Sequence, residues 1–322
     1  MNTPKEAELG RGRHARSPAA IPGRGWRDIG WRLFNRIMED RAMLVAGGVT
    51  FYLLLALFPA LLAFVSLFGL FADPTRIPEQ IGFLREVLPA EGYTLVRDQL
   101  TELAAQQTGA LGFGLALSLA VALWTANNGV KAIFEAMNIA YSERESRSLV
   151  RLNLIAFVFT LGGLVAATLL FIAIGVVPAV LAFLDIGEGA ARLLRLLRWL
   201  VLLPIIALVV SLFYRYGPSR APARWRWITT GSALATLVWL IASIAFSFYL
   251  DGFAHYNVTY GSLGALIGFL LWMWLSSLIV IVGAELNAEM ELQTAEDTTQ
   301  HPESPLGSRG AVVADSLGDK VD

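Results

Sequence analysis

The sequence predicts an all-α integral membrane protein with six transmembrane helices. Of its 322 residues, 56% are hydrophobic and 16% are charged, whereas a soluble domain has roughly 25% charged residues. The mean hydropathy of +0.58 points the same way. A helix needs about 20 mostly apolar residues to cross a bilayer. Five stretches are long enough, and the 16-residue run at 199–214 becomes so only with residues 193–198 included. The predicted spans lie at about residues 43–71, 108–128, 152–177, 194–214, 227–250 and 260–284.

The ends of the chain differ from this apolar centre. Residues 1–27 are rich in arginine, glycine and proline, and residues 293–322 are polar, so both are predicted to be disordered cytoplasmic tails flanking a membrane domain at 28–292. The first apolar run follows a 41-residue polar tail and is too long for a signal peptide. The basic segment Trp26–Met43 is expected to form an amphipathic helix that binds anionic lipids of the inner leaflet.

The distribution of basic residues predicts the orientation. With six spans, 19 of the 25 lysines and arginines fall on the side of the two termini, and six fall on the other side. Because basic residues concentrate in cytoplasmic loops, both termini are expected in the cytoplasm.

Amphipathic helices are also predicted between the spans. Two short ones are expected in the outer segment at 73–108, where apolar residues recur every three or four positions. An interfacial helix is expected after the second span, around Lys131.

Small and polar residues within the spans allow two interpretations. Either they line a cavity, or they hydrogen-bond and pack the helices together. The candidate cavity-lining residues are Ser232, Thr236, Ser243, Ser247, Ser276 and Asn287, the candidate close-packing residues are Gly261, Gly264 and Gly268, and the candidate kinks are Pro59, Pro178 and Pro204. A second copy of the chain, in a homo-oligomer, is also among the expected partners.

The stretch GAELNAEM ends the sixth span with two acidic residues, Glu285 and Glu289. Acidic groups at a helix C-terminus oppose the helix dipole, so a basic partner is expected. The sequence predicts a cytoplasmic charge junction in which Lys131, Arg215 or Arg220 holds these carboxylates.

Motifs for catalysis are missing from the sequence. There is no cysteine, the three histidines do not cluster, and no HExxH, GxSxG or Walker motif occurs. We therefore predict no catalytic residues, no metal site, no cofactor and no enzyme activity. The arginine-rich tail lacks a fold that would recognise a specific nucleic acid.

Four segments together resemble the YihY/BrkB family of bacterial inner-membrane proteins, formerly labelled ribonuclease BN. They are VAGGVTFYLLLALFPALL, LWTANNGVKAIFEAMNIAY, YRYGPSR and YGSLGALIGFLLWMWLSSLIVIVGAELNAEME. The resemblance covers about residues 28–292 and implies six helices in the bacterial inner membrane, a link to virulence and a role in moving lipids or envelope components. It implies no catalytic residues.

The resulting functional hypothesis is a transporter-like protein whose partners are membrane lipids or other envelope amphiphiles. The alternative is a non-transporting scaffold that maintains the envelope by binding other membrane proteins. The first predicts a cavity between the spans, and the second predicts polar stripes that only pack helices.

Overall fold

A computed structural model describes residues 10–68, 81–82, 90–106, 113–171, 188–252, 262–299 and 302–320. The regular structure in these ranges is helical, apart from an isolated antiparallel bridge between Ala223 and Thr299. The helices are α1 (Gly23–Glu39), α2 (Ala42–Phe68), α3 (Ala90–Gln106), α4 (Phe113–Ala140), α5 (Leu149–Phe171), α6 (Glu188–Tyr216), α7 (Trp225–Gly252) and α8 (Ser262–Gln293), with a 3-10 turn at Pro18–Ala20. The predicted all-α fold class is confirmed.

Within the described residues, four helices are long and apolar enough to cross a membrane. These candidate spans are Ala42–Val65 in α2, Leu149–Thr168 in α5, Trp225–Tyr249 in α7 and Leu266–Gln293 in α8. They correspond to the first, third, fifth and sixth spans predicted from sequence. The second and fourth predicted spans fall on α4 and α6, and α6 contributes a shorter apolar stretch at Leu202–Tyr216.

The outer faces of the candidate spans carry large apolar side chains. Leu154 and Val158 on α5, and Ile241 and Phe248 on α7, are each more than half exposed. A row of exposed apolar residues this long is unfavourable in water, whereas the hydrocarbon core of a bilayer accommodates it.

The predicted outer segment is described in part. The second predicted amphipathic helix is α3, whose Tyr93, Val96 and Leu100 pack against Val65 of α2. Of the first, Ile81 is buried in the same cluster, and residues 83–89 lie outside the described ranges.

The terminal segments, which the sequence predicts to be disordered, form hydrogen bonds within the described residues. Within residues 10–27, the Arg13 guanidinium donates to the carbonyl oxygen of Gly318 at 2.7 Å, and the backbone carbonyl of Arg13 accepts from the amide of Ala295 at 2.8 Å. The Thr294 hydroxyl donates to the carbonyl of Ala15 at 2.7 Å. These hydrogen bonds, all to backbone carbonyls, join the N-terminal segment to residues near the C-terminus.

The predicted kink and packing residues are distributed along the helices. Pro59 lies inside α2 and Pro204 inside α6, and both helices continue through them. Pro178 and Gly261 lie outside the described residues. Gly264 and Gly268 lie in the first turns of α8, where Gly268 is buried.

A close contact joins α7 and α8 through two glycines that the sequence analysis did not select. A Cβ atom added to Gly231 would meet the side-chain amide of Asn287 and would lie 2.6 Å from the carbonyl oxygen of Gly283. One added to Gly283 would meet the Tyr214 hydroxyl and would lie 2.8 Å from Cβ of Ala235. Larger residues at either position would force these helices apart.

We expect Gly231→Ala to lower the free energy of unfolding by about 1–3 kcal/mol, because overpacking a tight contact costs that much. The matched control is Gly162→Ala on α5, where an added Cβ atom meets nothing within 4 Å. The measurement is the thermal unfolding midpoint of the two purified variants in one detergent. Equal midpoints would show that the α7–α8 contact can relax.

Candidate functional site at the end of the last helix

The last three turns of α8 carry five polar side chains that are almost completely buried. Each of these residues, Glu285, Asn287, Glu289, Glu291 and Gln293, is at most 2% exposed. Charged residues are almost never buried to this degree unless they are paired. Helix α1, the loop after α6 and both terminal segments cover them. We refer to these five residues and their partners as the polar junction.

Arg32 of α1 is the main partner of Glu289. Its Nε donates to the Glu289 carboxylate at 2.5 Å, while its Nη2 donates to the backbone oxygen of Glu289 at 3.1 Å and to Oε1 of Gln293 at 2.8 Å. Arg36 lies one turn further along α1, with its Nε 3.7 Å from Glu289. A single guanidinium therefore fastens α1 to three acceptors on α8.

Arg220, in the loop after α6, is the partner of Glu291. Its Nη2 donates to Oε2 of Glu291 at 2.7 Å, and the same oxygen accepts from the Thr298 hydroxyl at 2.6 Å. The guanidinium also lies over the ring of Tyr141, 4.9 Å from its centre. Burial raises the pKa of the Tyr141 phenol, so this ring stays neutral. The ion pair is buried on both sides, with side-chain exposures of 1% and 0%.

Glu285 has a different environment from its neighbours. It is fully buried, yet neither carboxylate oxygen has a hydrogen-bond partner among the described residues. Its carboxyl group interacts electrostatically with Asp40, Arg36 and Glu289. Oδ2 of Asp40 is likewise buried and makes no hydrogen bond in the described part of the chain.

The three basic residues predicted to hold Glu285 and Glu289 contact other groups instead. Lys131 donates to Oδ1 of Asn153 at 3.0 Å, and Arg215 stacks on Trp225 with 4.8 Å to the ring centre. Arg220 is held by Glu291, which the sequence analysis did not select. The structure thus differs from the expected contact between a basic residue of this set and Glu285.

Of the predicted cavity-lining residues Ser232, Thr236 and Asn287, the first and the last mediate contacts between helices. The Ser211 hydroxyl on α6 donates to the Ser232 hydroxyl on α7 at 2.6 Å. Oδ1 of Asn287 accepts from the backbone amide of Gly231 at 3.0 Å, and the Thr236 hydroxyl bonds within its own helix to the carbonyl of Ser232 at 2.8 Å.

The other three lie nearer the opposite end of α7 and α8. The Ser243 hydroxyl accepts from the indole of Trp272 at 3.2 Å, and the Ser276 hydroxyl accepts from the indole of Trp239 at 2.9 Å. Ser247 is exposed on α7.

An apolar pocket of about 220 Å³ lies between α2, α4 and α8, beside the polar junction. It includes Ser276 from the predicted set, and the Ser277 hydroxyl, which is buried without a hydrogen-bond partner among the described residues. The lining residues are Val49, Leu53, Ile133, Ala136, Met137, Trp272, Met273, Ser276, Ser277, Val280 and Ile281. Its volume is below the 300–1,000 Å³ of typical small-molecule sites, so it suits part of a chain-like ligand.

Comparison with known proteins places this architecture in a family. The family model described as "Virulence factor BrkB" matches residues 33–306. The chain belongs to the BrkB family. The match includes α8, Arg36 and Arg220, whereas Arg32 lies one residue before it.

Among curated BrkB relatives, the ribonuclease-like protein YfkH of Bacillus subtilis is 30% identical over 262 residues, covering 80% of this chain and 92% of that protein. A UPF0761 membrane protein of Haemophilus influenzae is 25% identical, and the match covers 82% of this chain and 96% of that protein. A UPF0761 membrane protein of Paraburkholderia xenovorans is 27% identical, and the match covers 78% of this chain and 57% of that protein.

The BrkB relatives thus differ in length, and the chain spans little more than half of the Paraburkholderia protein. No match was found among solved structures. The word ribonuclease belongs to the name of the Bacillus protein, whereas the UPF0761 names state only membrane location. Within the described residues, no group of three or more histidine, cysteine or acidic side chains is arranged to hold a metal ion.

The polar junction predicts opposite effects for two neighbouring glutamates. Glu289→Gln leaves the Arg32 guanidinium buried without its counter-charge, and we expect a loss of about 3 kcal/mol in unfolding free energy. Glu285→Gln removes a buried carboxylate that has no hydrogen-bond partner among the described residues, so its stability should equal or exceed that of the parent.

Thermal unfolding of the two variants in the same detergent measures this difference. The substitutions are chemically identical and lie one helical turn apart, so each is the control for the other. Equal losses in both would mean that Glu285 has a partner as strong as Arg32.

Proposed function

We propose that this BrkB-family chain is a six-span protein of the bacterial inner membrane that handles lipids or other envelope amphiphiles in a transporter-like manner. The observation that carries the proposal is the apolar pocket, which lies between two candidate spans and α4. An amphiphile combines a long apolar body with few polar groups, and the pocket offers apolar walls with two serine hydroxyls.

The Ser277 hydroxyl supports a ligand of this kind. A buried polar group without a partner costs about 1–3 kcal/mol. A bound amphiphile with an ester or hydroxyl group would supply the missing hydrogen bond while its chain fills the apolar space.

The proposed orientation rests on the basic residues and on α1. We infer cytoplasmic termini from the excess of lysine and arginine on that side. Helix α1 carries exposed Trp31, Phe34 and Met38, which would dip into the inner leaflet, and exposed Arg24, which would face its anionic lipids.

A non-transporting scaffold is the second candidate. It is favoured by the contacts of Ser232 and Asn287, which hold α6, α7 and α8 together. In that case the exposed apolar faces of α5 and α7 would bind partner membrane proteins.

Reconstitution into liposomes separates the two candidates. We expect the parent protein to move a fluorescent phospholipid between leaflets, and Ala136→Leu to slow this movement several-fold by filling the apolar pocket. The matched control is Ala245→Leu on the exposed face of α7, which should move lipid at the parent rate.

Ser277→Ala provides a second, milder variant that removes the hydroxyl without filling the space. Size-exclusion profiles and unfolding midpoints verify that all variants are folded. Equal rates for the two leucine variants would remove the pocket from the mechanism, and a parent that moves no lipid would favour the scaffold.

A further inference from the structure

A second pocket, of about 490 Å³, lies where α5 begins and α6 ends. Four arginines contribute to its lining, namely Arg147, Arg151, Arg215 and Arg220. It shares no residue with the apolar pocket described above. We call it the basic pocket.

Two of the four arginines are neutralised by carboxylates. Nη2 of Arg147 lies 2.6 Å from Oε2 of Glu145, and Arg220 is paired with Glu291 in the polar junction. Burial would raise the pKa of Glu145, but hydrogen bonds from Arg147 and Asn138 outweigh burial and lower that pKa to about 2. Glu145 therefore stays charged, and Arg147 stays neutralised, at any physiological pH.

The other two arginines, Arg151 and Arg215, have no carboxylate within ion-pair distance in the described part of the chain. Arg215 is only 3% exposed. Its guanidinium stacks on Trp225 and donates through Nη1 to the carbonyl of Ala223, while its Nε lacks a hydrogen-bond partner among the described residues. A buried charge without a counter-charge is costly, so this site is suited to an anion.

Arg151 supplies a second positive charge with an accessible side chain. It lies in the first turn of α5, where its backbone amide donates to the Ser148 hydroxyl at 3.3 Å. The N-terminal end of α5 adds the partial positive charge of the helix dipole, which favours phosphate and carboxylate ligands.

The surroundings of the basic pocket match the boundary between lipid headgroups and hydrocarbon. Exposed Tyr216 and Trp225 flank it, as aromatic residues do at membrane interfaces. On its other side the candidate span of α5 begins, with Leu149, Leu154 and Val158 exposed. An anion in the pocket would therefore have apolar surface next to it, along which acyl chains could lie.

We propose that the basic pocket binds a phosphate group through Arg151 and Arg215, carried either by a phospholipid headgroup or by free phosphate. Basic pockets at the ends of membrane helices bind anionic headgroups by this chemistry. The site does not depend on lipid movement, so it can exist in a transporter and in a scaffold.

The test uses the purified full chain in a neutral detergent and isothermal titration calorimetry. The probes are dihexanoyl phosphatidylglycerol, dihexanoyl phosphatidylcholine and inorganic phosphate. We expect the anionic lipid to bind more tightly than the zwitterionic one, and Arg151→Gln to weaken its binding about fivefold, as loss of one basic group near an anionic headgroup does.

The matched control is Arg144→Gln, an exposed arginine of the same loop that does not line the pocket. A second variant, Arg215→Lys, keeps the charge but loses the stacked, planar guanidinium, and it should also weaken binding. Unfolding midpoints check that each variant is folded.

The outcomes separate the sources of the phosphate. Binding of phosphatidylglycerol alone, sensitive to Arg151→Gln, assigns the site to a lipid headgroup. If inorganic phosphate binds the parent and Arg151→Gln weakens its binding by the same factor, the site is assigned to free phosphate. The proposal is overturned if neither phosphatidylglycerol nor inorganic phosphate binds the parent, or if Arg151→Gln and Arg144→Gln change binding equally. Binding without lipid movement keeps this site and removes the transporter proposal.

Discussion

The burial of charged side chains at the end of α8 is the constraint on which the surrounding structure depends. Glu289 is held by Arg32, 257 positions earlier in the chain, and Glu291 by Arg220, 71 positions earlier. Removing one member of such a pair leaves a buried, uncompensated charge, which costs about 3–5 kcal/mol. Helix α1, the loop after α6 and the segment that contains Thr298 therefore have to be in place together. The junction couples the ends of the chain to its last membrane helix.

Polar contacts matter more here than in a soluble bundle. Lipid tails are as apolar as leucine, so burial of apolar surface gives membrane helices little reason to associate. Small residues and hydrogen bonds decide the packing instead, and the contacts of Gly231, Gly283 and Asn287 between α7 and α8 are of this kind. With that face of α8 used for packing, the apolar pocket forms on the face that meets α2 and α4.

The helices were predictable from sequence because hydropathy is a local signal. The predicted spans at 43–71 and 227–250 correspond closely to α2 (Ala42–Phe68) and α7 (Trp225–Gly252). The partners in the polar junction were not predictable from sequence, because Arg32 and Glu289 lie 257 positions apart and no local pattern connects them. The available signal was the pair Arg32 and Arg36 one turn apart on α1, which was interpreted as binding lipid. Glu291 and Gln293 were missed because they follow the predicted end of the sixth span at residue 284, where polar residues normally meet water.

The basic residues near the membrane divide into groups with different physical roles. An arginine that only sets the orientation of a span needs to be near the interface, and exposure costs it nothing. Arg220 is buried but compensated by Glu291, which makes it part of the fold. Arg215 is buried without a carboxylate in the described residues, and stacking on Trp225 returns only about 1–2 kcal/mol of its desolvation. Neither orientation nor folding accounts for burying that guanidinium, whereas an anionic ligand would supply the counter-charge that Glu291 supplies to Arg220.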